Sequence, residues 1–197
     1  MKNIIKILSL ILIFSMLNSL LISCNMTPGS DTSEGADDTD DNTEEEDEEN
    51  LPPIGNTIGK RCISTSLELI DGGTVNIKDF KGKIVVLNFW GTWCGPCKSE
   101  LPEFDEVAEE YADSVVVLTV HSEYGVENAP DYVAEHFADS KMVFAKDKAG
   151  DGYYRALNPG MNSYPITIIV DARGVICARY EGKIAKSVLV SEIEKLK

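Results

Sequence analysis

The sequence predicts an α/β domain with a mixed central sheet flanked by helices. Two short β-branched runs, Ile84 to Phe89 and Val115 to Val120, lie on either side of a helical pattern, which is typical of a βαβ unit. Two further runs, Ile166 to Val170 and Val175 to Tyr180, are joined by the hairpin signal "DARG". The segment from Lys186 to Lys197 then forms an amphipathic helix.

The remaining elements of the first half follow from turn signals and apolar spacing. Ile63 to Leu69 and Val75 to Ile77 flank "DGG", which predicts a β-hairpin before the first buried strand. Pro96 to about Tyr111 carries apolar residues at helical spacing and forms the helix of the βαβ unit. Pro102 is expected to kink that helix, because proline lacks a backbone N–H.

The second half adds shorter elements. Asn128-Ala129-Pro130 begins a helix that reaches about Ala138, and Met142 to Ala145 is a short apolar segment. A short helix is expected from Asp151 to Leu157. Helices and strands therefore alternate along the chain, as expected for an α/β sandwich with a mixed sheet.

The N-terminal residues are predicted to lie outside this domain. Lys2 and Lys6 precede an apolar run from Ile7 to Ile22, which is typical of an export signal and is shorter than the about 20 apolar residues of a membrane span. The run ends in "LISC", which resembles the bacterial lipobox. Residues 1–23 are therefore interpreted as a lipoprotein signal peptide, and Cys24 as the lipid-modified N-terminus. A plain secretory signal and an uncleaved anchor are the alternatives, and each places the domain outside the cytoplasm.

Residues 24–50 are interpreted as an acidic disordered tether between the lipid and the folded domain, residues 51–197. Residues 25–50 hold twelve Asp and Glu, no Lys or Arg and no aromatic residue, so they cannot bury enough apolar surface to offset the entropy of ordering. Residues 51–197 hold 21 acids and 16 bases, which leaves about −5 of the net charge of −15. This mild acidity argues against a nucleic-acid partner.

The motif "CGPC" contains Cys94 and Cys97, and three interpretations compete for it. A tetrahedral zinc site needs four ligands, but His121 and His136 lie far apart without a ligand pattern, so no metal is expected. A structural disulfide rarely closes so small a loop ahead of a helix. A redox pair fits best, because a cysteine at a helix N-terminus is favoured as a thiolate.

The surrounding residues resemble known thiol proteins. "FWGTWCGPC" after a buried strand, with Pro102 five residues past the second cysteine, resembles thioredoxin. The stretch "VNIKDFKGKIVVLNFWGTWCGPCKSELP" is more similar to the extracytoplasmic thioredoxin-like proteins of the TlpA and ResA type. The resemblance covers nearly all of residues 54–197 and implies a thioredoxin-like fold. The N-terminal hairpin and central helical insertion of those proteins match Ile63 to Ile77 and roughly His121 to Met142.

The same resemblance assigns site residues. "SYPIT" matches the loop whose proline is cis and faces the active-site sulfurs, which points to Pro165. Glu100 matches the active-site glutamate of ResA-like proteins, although a solvated first-turn glutamate is the alternative. Asn88 stands where thioredoxin has a buried aspartate. The catalytic residues expected are Cys94, Cys97 and Glu100. The expected supporting residues are Trp93, Gly95, Pro96, Pro165 and Asn88.

Four other residues receive more ordinary expectations. Cys62 and Cys177 are expected to be buried free thiols, with a bridge between them as the alternative in an oxidising compartment. His121 and His136 are expected to be surface or strand-end residues without a role in the site.

The resemblance implies a membrane-anchored thiol–disulfide oxidoreductase that reduces disulfides of partner proteins. Apocytochrome c is a candidate substrate, and a membrane thiol-transfer protein is the expected electron donor. The Cys94–Cys97 disulfide would be the redox group, with no further cofactor. The alternatives are a thiol peroxidase of the peroxiredoxin type, although "NFWGTWC" lacks the upstream proline of that site, and a non-catalytic binding module with the thioredoxin fold.

Overall fold

The computed structural model describes residues 50–122, 125–147 and 152–197. The predicted signal peptide, Cys24 and the tether up to residue 49 lie outside the described residues. The helices are α1 (Gly95–Glu110), α2 (Ala129–His136), α3 (Tyr153–Leu157) and α4 (Lys186–Glu194). The strands are β1 (Ile54–Gly55), β2 (Arg61–Cys62), β3 (Leu67–Leu69), β4 (Thr74–Val75), β5 (Ile84–Trp90), β6 (Val115–His121), β7 (Val143–Lys146), β8 (Ile166–Val170) and β9 (Ile176–Glu181).

The main sheet is mixed, as predicted. Its strand order is β4-β3-β7-β6-β5-β8-β9. Strands β5, β6 and β7 run parallel to one another. The hairpin β8–β9 pairs with β5 in the antiparallel direction, and the hairpin β3–β4 pairs with β7 in the same way. Strands β1 and β2 form a separate parallel pair.

Strand β5 is the centre of the fold, and all of its side chains are buried. Alternate residues point to opposite faces of the sheet. Val86 and Trp90 join the apolar cluster of α1 and α4, while Leu87 and Phe89 join the cluster of α3 and the N-terminal hairpin. Burial of each such side chain contributes about 1.5–3 kcal/mol to folding, so the strand that precedes the CGPC motif is held from both sides.

Helix α1 begins shortly after β5 because the residues at its start favour helix initiation. Cys94 is the N-cap, in extended conformation, and Pro96 lies at the start of the helix, where a missing N–H has no cost. The helix continues through Pro102 to Glu110. Its buried face carries Cys97, Glu100, Leu101, Phe104, Val107 and Ala108.

Two segments differ from the sequence-based expectation. The hairpin is shorter than predicted, because Asn76 ends β4 and caps a 3-10 turn at Ile77–Phe80, where its side chain accepts the N–H of Lys78. The apolar segment expected from Met142 to Ala145 is the strand β7, whose backbone connects β6 to the hairpin.

Among the described residues, no helix is both long enough and apolar enough to cross a membrane.

Candidate active site

Cys94 and Cys97 are joined by a disulfide at the N-terminus of α1, with their Cα atoms 5.3 Å apart. The Sγ of Cys94 also accepts the backbone N–H of Cys97 at 3.2 Å. The exposed fraction is 5% for Cys94 and 0% for Cys97. Residues on either side of Cys94 are exposed, among them Gly95 and Pro96. The first cysteine therefore lies at the surface end of the pair, and the second lies in the core.

Trp93 covers the strand-to-helix connection. Its side chain is 48% exposed and lies edge-on to Tyr164, with ring centroids 5.0 Å apart. The indole lies so close to Gly91 that a Cβ atom at this position would come within 2.6 Å of the ring. Gly91 is thus a site residue that the sequence marks only as a break after the strand.

Pro165 lies directly before β8, in the loop where the resemblance predicts a cis proline. The Tyr164–Pro165 peptide bond is cis, and Pro165 is buried directly before β8. Strand β8 pairs with β5 so that Ile166 lies opposite Phe89. This register brings the proline to the same end of the sheet as the CGPC motif.

Glu100 and Asn88 form a buried polar pair between α1 and β5, and both are fully buried. The Nδ2 of Asn88 donates to Oε1 of Glu100 at 2.8 Å and to the hydroxyl of Thr167 at 3.1 Å. The second carboxylate oxygen, Oε2, accepts the backbone N–H of Ile184 at 3.2 Å. Burial raises the pKa of Glu100 from 4.5 to about 7, although both hydrogen bonds and Lys183 oppose the rise. The solvated alternative for Glu100 is wrong.

Comparison with known proteins identifies the kind of site. A family model described as "AhpC/TSA family" matches residues 58–179. The chain belongs to this family. Thioredoxin-like protein YneN of Bacillus subtilis (strain 168) is 32% identical over 146 residues, which are 72% of this chain and 81% of YneN. Thiol-disulfide oxidoreductase ResA of Bacillus thuringiensis subsp. konkukian is 29% identical over 140 residues, which are 71% of this chain and 78% of ResA.

Solved structures show the same relationship. The crystal structure of the pneumococcal exposed lipoprotein thioredoxin of Streptococcus pneumoniae is 27% identical, with a TM-score of 0.58. The match covers 68% of this chain and all of the pneumococcal chain, 100%. The predicted thioredoxin-like fold is therefore confirmed. This AhpC/TSA-family protein is a thiol–disulfide oxidoreductase of the ResA/YneN-like kind.

His121 of this AhpC/TSA-family protein lies deeper in the fold than a surface residue. It ends β6, which confirms the strand-end alternative, and it is fully buried. Its Nε2 accepts the backbone N–H of Thr92 at 2.8 Å. Burial lowers the pKa of His121 to about 4. The burial depends on the pairing of β5 with β6, which no local pattern reveals. His136 is exposed at the end of α2, as expected.

The two described cysteines outside the motif, Cys62 and Cys177, are thiols. Cys62 and Cys177 form no disulfide within the part of the chain that the structure describes, so the bridge between them is excluded. Cys62 is buried against the hydroxyl of Tyr153, with Sγ and Oη 3.5 Å apart, and burial raises its pKa to about 11. Cys177 is only half-buried, in contrast to the expectation. In the described ranges, no group of three or more His, Cys, Asp or Glu side chains could hold a metal ion.

Proposed function

We propose that this protein reduces disulfides of partner proteins outside the cytoplasm, through Cys94 and Cys97 of the CGPC motif. The observation that supports this most directly is the position of the pair. Cys94 caps α1 next to exposed residues, and Cys97 lies one turn further into the core. An attacking thiol must reach a partner, while a resolving thiol must reach only the first cysteine.

The proposed reaction is two successive thiol–disulfide exchanges. In the reduced protein, the Cys94 thiolate attacks one sulfur of the partner disulfide; a mixed disulfide forms and the second partner sulfur leaves as a thiolate. The Cys97 sulfur then attacks Sγ of Cys94, after losing its proton. The Cys94–Cys97 disulfide forms, and the partner leaves with two reduced sulfurs. Two electrons pass to the partner, and an external dithiol, proposed to be a membrane thiol-transfer protein, returns them.

The helix and its N-cap favour the first step. Unpaired backbone N–H groups at a helix N-terminus stabilise a thiolate, and the N–H of Cys97 already points at the Cys94 sulfur. The Gly95-Pro96 pair matches that of thioredoxin, whose potential is low, at roughly −270 mV. The helix N-terminus favours rapid attack by Cys94, and the match to the low-potential pair of thioredoxin favours reduction of partner disulfides over their formation. Apocytochrome c remains a candidate substrate.

The activity is tested by insulin reduction. With dithiothreitol as electron donor, the protein is expected to accelerate the precipitation of reduced insulin chains, and Cys94→Ala to return the rate to that of dithiothreitol alone. A wild-type protein that leaves this rate unchanged would favour the non-catalytic binding module. Rapid consumption of hydrogen peroxide without insulin reduction would favour the thiol peroxidase.

The proposed location depends on Cys24 and on the tether that follows it. The "LISC" sequence supports a lipid anchor, and one structural relative is described as an exposed lipoprotein. Cys24→Ala is expected to abolish lipid attachment and to move nearly all of the protein out of the membrane fraction. Mass spectrometry of the N-terminal peptide measures the lipid directly. A wild-type N-terminus without lipid, in protein already released into the medium, would contradict the anchor.

A further inference from the structure

The buried imidazole of His121 contacts the connection between β5 and the CGPC motif. His121 is the last residue of β6 and pairs with Trp90, the last residue of β5. Its ring lies edge-on to the indole of Trp90, with centroids 4.9 Å apart. Two polar contacts lead from Nε2 to Thr92, at 2.8 Å to the backbone nitrogen and 3.3 Å to the hydroxyl oxygen.

These contacts define the protonation of the ring. Because a backbone N–H can only donate, Nε2 of His121 is an acceptor and carries no proton. In the neutral ring the proton is therefore on Nδ1, for which the described part of the chain offers no hydrogen-bond partner. Burial keeps the pKa of the ring at about 4, with Glu127 as the opposing charge. At neutral pH the imidazole is uncharged, and Nε2 is available to Thr92.

Thr92 lies inside the turn that leads to the attacking cysteine. The N–H of Cys94 donates to the carbonyl of Gly91 at 3.0 Å, which closes a four-residue turn with Thr92 and Trp93 at its centre. The Trp93 ring packs over Gly91, and the amide of Thr92 lies against the buried ring of His121. His121 is the acceptor for that amide.

We propose that His121 is a positioning residue for the redox motif. Its Nε2 holds the turn from Gly91 to Cys94 and so keeps Cys94 at the N-cap of α1. This inference rests on the proposed role of Cys94 as the attacking thiol. The effect is selective for the reduced protein. In the oxidised protein the bond to Cys97 also holds Cys94 at the helix. The reduced protein lacks that bond and depends on the turn together with the N-cap hydrogen bonds from the N–H groups of Cys97 and Lys98.

The test separates the hydrogen-bond acceptor of His121 from its aromatic ring. His121→Phe keeps an aromatic ring but has no acceptor, and His121→Gln can place an amide oxygen near the position of Nε2. Ser122→Ala is the matched control, because Ser122 is the next residue, is equally buried, and its hydroxyl donates to the carbonyl of Val120 rather than to the motif. The assays are the pH profile of Cys94 alkylation in the reduced full-length chain and its reduction potential.

A lost hydrogen bond of ordinary strength changes an equilibrium constant about fivefold. His121→Phe is therefore expected to raise the midpoint of Cys94 alkylation by about 0.7 pH unit, which is that fivefold change on a logarithmic scale. Since the thiolate of the reduced form is less stable in this variant, the reduction potential should become about 20 mV more negative. A tenfold change in the equilibrium constant of this two-electron couple corresponds to 29.6 mV. His121→Gln should recover most of both changes, and Ser122→Ala should alter neither.

Other outcomes would overturn the proposal. If His121→Phe leaves the alkylation midpoint and the reduction potential unchanged, His121 is only a core residue. The same conclusion follows if Ser122→Ala changes both quantities equally. If His121→Phe does not fold, nitrogen NMR of the wild-type ring still decides, since a proton on Nε2 contradicts the contact to Thr92. Insulin reduction by the wild-type protein is scored separately. Its absence would contradict the proposed function. Normal insulin reduction by the wild type, with unchanged midpoint and potential in the His121 variants, would contradict only this inference.

Discussion

Replacing Cys97 with alanine is expected to leave the protein covalently attached to its partners. The first exchange needs only Cys94, which lies at the surface end of the pair, whereas release needs the Cys97 sulfur. Cys97→Ala should therefore accumulate mixed disulfides, and Cys94→Ala should form none. Insulin reduction should fall to background in both variants. The measurement is a comparison of non-reducing and reducing gels, followed by mass spectrometry of the trapped peptides.

The other thiols provide the control for this experiment. Cys62 and Cys177 are reduced in the structure, so Cys177, which is half-buried, could capture partners by itself. The trap is therefore made in a Cys62→Ala, Cys177→Ala background, which should keep the wild-type rate of insulin reduction. Equal trapping by the two motif variants in this background would contradict the assigned order of attack.

The sequence predicted those parts of the fold that local patterns determine. The β-branched run of β5 and the start of α1 both follow from residues within a few positions of each other, and the structure places them within one residue of expectation. The pairing of Cys94 with Cys97 has the same origin. The family resemblance added Pro165 and Glu100, which no local pattern assigns.

The features that the sequence did not predict depend on contacts between distant residues. Whether Glu100 is buried depends partly on the N–H of Ile184, which lies 84 positions further along the chain. The burial of His121 depends on the register of β6 against β5. The strand β7 has only four residues, and it is stabilised by pairing on both sides rather than by its own pattern.

The second large effect is expected in the pH dependence of the stability of the oxidised protein, which Glu100→Gln should remove. Burial raises the pKa of this carboxyl group from 4.5 to about 7, so the folded protein binds a proton more tightly than the unfolded chain does. Stability from this group is therefore fully present below about pH 4.5 and is lost as the pH rises through about 7. The shift corresponds to roughly 3 kcal/mol of the free energy of unfolding.

The glutamine variant should not show this loss. Its side chain is neutral, and its NH₂ group could donate to Oδ1 of Asn88, which has no hydrogen-bond partner among the residues that the structure describes. A rotation of the Asn88 amide would make that contact. The free energy of unfolding of the wild type, relative to Glu100→Gln, is expected to fall between pH 4.5 and 7 and then to stay constant. Denaturant titrations at several pH values measure this difference.

The raised pKa of Glu100 also underlies its proposed part in the reaction, which is to accept a proton from Cys97. Cys97 and Glu100 lie three residues apart on the buried face of α1, so their side chains share one side of the helix. The thiol of Cys97 must lose its proton before it attacks the mixed disulfide, and a carboxylate with a pKa near 7 is suited to accept it. Glu100→Gln is expected to slow this second exchange by up to about 10²-fold, while the disulfide and the fold are retained.

Alkylation of the reduced protein against pH separates this role from an ordinary buried charge. Glu100→Gln should change the pH profile of thiol alkylation, since the titrations of a carboxyl group and a nearby thiol are coupled. Asn88→Ala should have a smaller effect, because it removes only one of the hydrogen bonds that lower the pKa of Glu100. Glu106→Gln is the control, because Glu106 lies on the exposed side of α1 and pairs with Lys186. Superimposable profiles for the wild type and Glu100→Gln would leave Glu100 with a structural role alone.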